Sequence, residues 1–219
     1  MMTTDLYGLV NPDVVSLPQL EPNTGNPIFL IQEMDEEGGM HLSVEVMGQC
    51  LQIHFNNNKN FALLRNRKCA DGIIWEDLGN GSFRLHLFEM KKTIDVSKWN
   101  IAKQQYYGTF LKCRMIAGLV GVSIDSCIHL YTVFCEDGLS SGNQNNTDPA
   151  MERTFTDAPP EEKEWSDNYW DYYLTPLNHG RSPHWGTLDF QHHKIHLVNV
   201  DADGVPEGRY DLEKKCPIP

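Results

Sequence analysis

Three side chains in the stretch Cys69 to Lys91, CADGIIWEDLGNGSFRLHLFEMK, could do chemistry together. Asp71 and Glu89 are hard oxygen donors, and Lys91 is a cation two residues beyond Glu89. What lies between them sets their spacing. Apolar runs from Gly72 to Trp75 and from Phe83 to Met90 flank Gly79-Asn80-Gly81, with glycines where a tight hairpin turn needs them. A turn centred on Asn80 sets Leu78 opposite Ser82 and Asp71 opposite Glu89. Alternation puts Phe83, Leu85, Leu87, Glu89 and Lys91 on one face of the second strand. Opposed residues on an antiparallel pair share a face, with Cβ atoms about 5 Å apart. Two carboxylates at that distance can share one Mg2+ or Mn2+ that keeps several waters. Such a metal polarises a phosphoryl oxygen and acidifies water, and the Lys91 ammonium can orient the water or stabilise developing negative charge. Taken alone, E-x-K on a strand is also an ordinary surface ion pair worth under about 1 kcal/mol.

Asp71, seventeen residues, then Glu89-x-Lys91 resembles the PD-(D/E)xK phosphodiesterase superfamily, the restriction-endonuclease-like nucleases. The resemblance covers roughly Cys69 to Cys135, about a third of the chain. Ala70 stands where a proline often precedes the first acid. The resemblance implies metal binding by Asp71 and Glu89, with a contribution from the Met90 carbonyl, and positioning of the attacking water by Lys91. It implies a further acid from an initial helix, for which Glu45 is the best match. It also implies a helix directly after the E-x-K strand, bearing a Gln or Lys that reaches the phosphate; Gln104 and Lys103 are the matches here. The Q-x-x-x-Y pattern of exonuclease-like branches is absent, since neither Gln of QQYYG has a Tyr four residues later.

The elements that must hold this site follow from hydrophobic periodicity. After Thr93 to Val96, Trp99, Ala102, Tyr106, Phe110, Cys113 and Ala117 recur at spacings of three and four, as one buried helical stripe does. Ser97 is the expected N-cap, with Asp95 adding charge near the start; Gly118 and Gly121 mark the end. Ser126 to Cys135, SCIHLYTVFC, is β-branched and aromatic with almost no charge, as a central strand should be. Strand, helix, strand implies a parallel pair beside the antiparallel hairpin, so the sheet should be mixed. The expected fold is therefore α/β, with a mixed central sheet, a long helix after the E-x-K strand, and a restriction-endonuclease-like core carrying N- and C-terminal extensions.

The remaining chain divides around that core. Residues 1–40 read as an arm, with one short strand at Ile28 to Gln32, an acidic turn at Met34 to Gly39, and no chemistry. Residues 41–135 form the core; within it His41 to Phe55 reads either as a hairpin about Met47-Gly48-Gln49 or as a short helix, and Phe61 to Leu64 as a short strand or turn. Residues 136–219 carry an acidic, aromatic insertion and C-terminal strands, all packing as one domain. There WSDNYWDYYL interleaves Trp165, Tyr169 and Trp170 with acids, either as a segment packed on the core or as an interface for a subunit of the same protein or a regulatory partner. Thr187 to Val200 reads as one or two strands. His192 and His196 on one strand face would lie about 13 Å apart, too far to chelate one ion. Asp201-Ala-Asp-Gly is a turn without the rest of a calcium loop.

Composition bounds the partners. The net charge of −12 opposes a polyanionic substrate. Yet Glu136 to Asp171 holds ten acids against Arg153 and Lys163, which is −8 of that total. Arg65, Arg67 and Lys68 precede Asp71, and Lys91, Lys92, Lys98, Lys103, Lys112 and Arg114 follow Glu89, so the charge near the site is expected to be locally positive. There is no long apolar run and no secretory leader, so neither a membrane span nor a signal peptide is expected. Six scattered cysteines without C-x-x-C fit a reducing cytoplasm better than a zinc or disulfide framework. The reading is a cytoplasmic Mg2+- or Mn2+-dependent endonuclease acting on DNA, a regulated effector in restriction or phage defence. A homo-oligomer is expected if it cuts both strands, and the residues do not distinguish DNA from RNA. Its rivals are a non-catalytic restriction-like fold and an interaction protein that uses the acidic aromatic segment.

Overall fold

A computed structural model of the chain describes residues 13–35, 38–55, 68–140, 161, 164–165 and 189–218. Two six-stranded mixed sheets and one long helix are found among them. The first sheet runs β1 (Val15–Ser16), β5 (Cys50–Ile53), β6 (Gly72–Asp77), β7 (Ser82–Ile94), β8 (Ser123–Asp137), β9 (Asp189–His196). It is antiparallel as far as β7, and parallel from β7 to β8 to β9. The helix α1 (Val96–Val120) makes the crossover from β7 to β8. The second sheet runs β10 (Asn199–Val200), β11 (Pro206–Asp211), β4 (Gly38–Glu45), β3 (Pro27–Asp35), β2 (Gln19–Leu20), with β12 (Cys216–Ile218) also on β11.

The β6–β7 hairpin has the expected register. Gly72 pairs with Phe88 and Asp77 with Phe83, which centres the turn on Asn80. Gly79, Asn80 and Gly81 all have positive φ, at 83°, 54° and 74°. Only glycine, and to a lesser degree asparagine, takes up that conformation readily. Strand β7 is buried on both sides. Phe83, Leu85 and Leu87 pack with the α1 stripe of Trp99, Ala102, Tyr106, Phe110, Cys113 and Ala117. Phe88 and Met90 pack with Phe29, Ile31, Leu42 and Val44 of the second sheet. The layers are thus helix, first sheet, second sheet. Beside Gly72 the two sheets come very close: a Cβ there would lie 2.5 Å from Ile31 Cδ1.

Several expectations need correction. The segment read as an arm supplies β3, whose Phe29 and Ile31 are core residues. His41 to Phe55 is neither a hairpin nor a helix: β4 joins the second sheet and β5 the first. Alternation within the stretch could not show this, because Leu42 and Val44 in one sheet and Leu51 and Ile53 in the other are all buried. The helix N-cap is Asp95, whose carboxylate accepts the Lys98 N–H at 2.8 Å, and Ser97 lies inside the helix. Gly118 is also helical, and Gly121 is the left-handed C-cap at φ 75°. The two-strand reading of the stretch before Val200 agrees with β9 (Asp189–His196) in the first sheet and β10 (Asn199–Val200) in the second. Phe61 to Leu64, Tyr169 and Trp170 lie outside the described residues.

Candidate functional site

Asp71 sits one residue before β6, where the hairpin register places it across from Glu89. Its Oδ2 accepts the Met90 N–H at 2.7 Å, so the side chain extends the ladder by one bond. Lys91 Nζ donates to Glu89 Oε1 at 2.5 Å, to the Met90 carbonyl at 2.8 Å, and to Glu33 Oε1 at 3.2 Å. Three oxygens from two layers therefore converge on one cation. Glu89 is 0% exposed, and its Oε2 is buried without a hydrogen-bond partner. An unpaired buried carboxylate oxygen is among the costlier arrangements a fold can hold.

The charges are out of balance. Burial, and then the neighbouring Asp71 charge, push the Glu89 carboxyl well above the usual range, against the pull of Lys91. Burial also raises Asp71, opposed by Lys91 and the Met90 N–H. For Lys91, burial works against the ammonium, but Glu89, Asp71 and Glu33 outweigh it and raise its pKa. Three acids thus face one base.

Glu33 is the residue the sequence reading missed. It continues the buried β3 face of Phe29 and Ile31. An acid at the next alternate position of an apolar strand face was the available signal.

The helix holds the segment that bears Asp71. Gln105 Nε2 donates to the Cys69 carbonyl at 3.0 Å, and Thr109 Oγ1 accepts the Ala70 N–H at 2.7 Å. Lys112 Nζ donates to the Lys68 carbonyl at 3.1 Å and to Cys69 Sγ at 2.5 Å. These three helix residues are spaced four and three apart, so they share one face. Gln105 Oε1 is buried and unpartnered. Beside Glu89, Tyr106 Oη and Thr132 Oγ1 lie 2.9 Å apart, as do Thr132 Oγ1 and His192 Nε2.

The other expected residues lie elsewhere. Gln104 is exposed and accepts from Lys68 at 2.9 Å. Lys103 is buried over the Trp99 ring and pairs with Glu164 at 2.6 Å. Gln105 is thus the glutamine next to the Asp71 segment. Glu45 belongs to the second sheet, where Arg209 donates to one oxygen and Asn26 to the other at 3.1 Å. It is not gathered with Asp71 and Glu89. The expected cationic rim is also reduced, because Lys91, Lys103 and Lys112 turn inward, while Arg65 and Arg67 lie outside the described residues. Trp165 is 1% exposed, packed against Trp99 and Phe134 with its Nε1–H on Asp137, so it is a core residue and not an open docking surface.

Among the described residues, no group of three or more His, Cys, Asp or Glu is arranged to hold a metal ion. Asp71, Glu89 and the Met90 carbonyl offer oxygen donors, the ligand type that a hard cation takes. No helix among the described residues is long and apolar enough to cross a membrane. No family model matches the chain, and no curated protein or solved structure does either.

Proposed function

We propose that the protein is a metal-dependent phosphodiesterase acting on nucleic acid, with DNA as the first substrate to test, built on a restriction-endonuclease-like core. The observation that carries this reading is the unpartnered, fully buried Glu89 oxygen beside Asp71 and Lys91. A fold gains nothing in stability from that arrangement, whereas a divalent cation would satisfy it. The order of β5, β6, β7, α1 and β8, antiparallel then parallel, adds support. So does the position of the acids at one end of the hairpin.

Asp71 and Glu89, with the Met90 carbonyl, would hold Mg2+ or Mn2+. Bound there, the cation would supply Lewis acidity toward a phosphoryl oxygen and lower the pKa of water. The chain's own groups do the rest. Lys91 carries the fixed positive charge that faces the developing negative charge of the phosphoryl group. Glu33 holds Lys91 from the second sheet. Gln105, with one amide end tied to Cys69, offers its free oxygen to orient a proton-bearing nucleophile. Cutting a duplex calls for two such sites, hence a homo-oligomer; regulation in phage defence fits the charge asymmetry of the sequence.

Supercoiled plasmid incubated with Mg2+, Mn2+ or EDTA tests this, with wild type and Lys91→Ala in parallel. Nicking or linearisation by wild type alone, abolished by EDTA, is expected. Equal cleavage by both proteins would remove Lys91 from the site. The competing reading, a non-catalytic partner-binding protein, draws on the net charge of −12 and the inward-turned lysines. Absence of metal-dependent cleavage on single- and double-stranded DNA and RNA would favour it.

A further inference from the structure

Lys112 is a buried lysine, 2% exposed, in an unusual setting. Its ammonium lies against the Cys69 sulfur at 2.5 Å, the Lys68 carbonyl at 3.1 Å and the Phe55 ring at 5.8 Å. A nitrogen-to-sulfur distance of 2.5 Å is shorter than even the N–H···O range of about 2.7–3.2 Å, although sulfur is the larger atom. It is close to what one oxygen atom bonded to both would impose. Cys69 is itself 5% exposed, and its backbone is tied to α1 by Gln105.

We propose that Cys69 and Lys112 form an oxidant-dependent covalent bridge, Sγ–O–Nζ, that fastens the segment bearing Asp71 to α1. The oxidant is a peroxide, which reaches the pair through local opening. Sγ first attacks one peroxide oxygen; the O–O bond breaks, the thiol becomes a sulfenic acid and water leaves. The sulfenic oxygen then stands between sulfur and the Lys112 nitrogen, which gives its ammonium proton to solvent before it reacts. A second peroxide takes two electrons as the N–O bond forms. Its O–O bond breaks, and the sulfenic proton and one amine proton leave with it as two waters. Thiol, amine and two peroxides thus give the bridge and three waters. Four electrons from a dithiol reductant reverse it to thiol, amine and one water.

Two features favour this pair over the other cysteines. Cys69 has a lysine nitrogen against its sulfur, whereas the sulfur of Cys127 lies 3.8 Å from His129 Nε2 and that of Cys135 lies 3.5 Å from Met40 Sδ. Cys50 and Cys113 are pushed up to about 12 by burial. The bridge would span 43 residues of chain, so it would restrict the unfolded state as a disulfide of that loop length does. This inference does not depend on the nuclease reading.

The test is intact-mass and peptide mass spectrometry of the full chain, treated with hydrogen peroxide or with dithiothreitol. Peroxide-treated wild type should gain one oxygen and lose two hydrogens. Trypsin should fail to cut after Lys112, and the Cys69 and Lys112 peptides should be joined. Dithiothreitol should undo all three changes and lower the Tm of the bridged protein by several degrees. Cys216→Ser should behave as wild type, whereas Cys69→Ser and Lys112→Arg should show no bridge. Wild type alone decides the matter if a variant does not fold. Peroxide treatment that leaves Cys69 unchanged, or yields only its sulfinic or sulfonic acid with Lys112 still cleaved by trypsin, would overturn the proposal.

Discussion

His86 and Glu89 stand three positions apart on β7, both buried, one facing the second sheet and the other the helix layer. Both ring nitrogens of His86 have partners. Its Nε2 meets Glu76 at 3.1 Å and its Nδ1 meets Tyr131 at 3.0 Å. Its ring stacks on His129 at 5.1 Å, and His129 bonds His193 at 3.0 Å. Around Glu89 one carboxylate oxygen is left over, and three acids crowd one lysine. A satisfied buried network fixes a fold; an unsatisfied one costs stability. The two regions also respond to protons in opposite senses, which makes the contrast measurable.

The largest effect should come from the unsatisfied region. Lys91→Ala and Glu89→Gln are each expected to lower metal-dependent cleavage by about 100-fold or more, measured as initial nicking rates. Glu89→Gln should nevertheless keep or raise the Tm at neutral pH. The folded carboxyl holds its proton above 4.5, where the unfolded one gives it up, so the wild-type residue contributes less to stability as pH rises. A lower Tm for Glu89→Gln at pH 7 would erase the distinction drawn here.

Metal is the next lever. At a hundredfold excess over its Kd, Mg2+ or Mn2+ should stabilise the wild type by about 2.7 kcal/mol and release protons as Glu89 ionises. The shift should vanish in Glu89→Gln. Thermal scans with and without EDTA, run in a weak buffer to follow proton release, would read both.

The histidine region should govern acid stability. Burial lowers His129 to about 3 and His193 to about 4 from 6.5, and it lowers His86 too. These rings stay neutral in the fold where the unfolded chain takes up protons. Their contribution is complete above pH 6.5 and is lost as pH falls from there toward 4. Tm measured from pH 8 to pH 4 should drop most steeply below about 6.5, and His129→Phe should flatten that slope. An unchanged slope would mean that the array is not what fails in acid.

The smallest effect separates neighbouring glutamines. Gln105→Ala removes a bond to the Asp71 segment and should cost about 1 kcal/mol, roughly fivefold in cleavage, while the exposed Gln104→Ala should leave the rate within about twofold. A reversal of that order would return the role to Gln104.

What could be read beforehand was local. Three turn residues set the pairing of Asp71 with Glu89, because a two-residue period admits no partial slip. The α1 stripe and the apolar β8 run likewise announced themselves by period and composition. What could not be read was docking. Glu33 meets Lys91 from 58 residues away, and nothing in local alternation says which sheet a strand joins. For the same reason Glu45 is expected beside Asp71 and Glu89, and β4 is expected to pair with β5. The apolar stripe fixes the helix phase but does not choose between Gln104 and Gln105, because the polar tie to the Cys69 carbonyl is a contact between distant segments.

Gly72 follows Asp71 directly, and its bare backbone is what lets Ile31, 1% exposed and with nowhere to swing, settle against β6. A single methyl group there would act as a shim between the two sheets. The Asp71–Met90 bond belongs to one sheet and would survive it. The Lys91–Glu33 contact spans the gap and would be pulled open. The alignment of the third acid with the other two thus hangs on an atom that is not there.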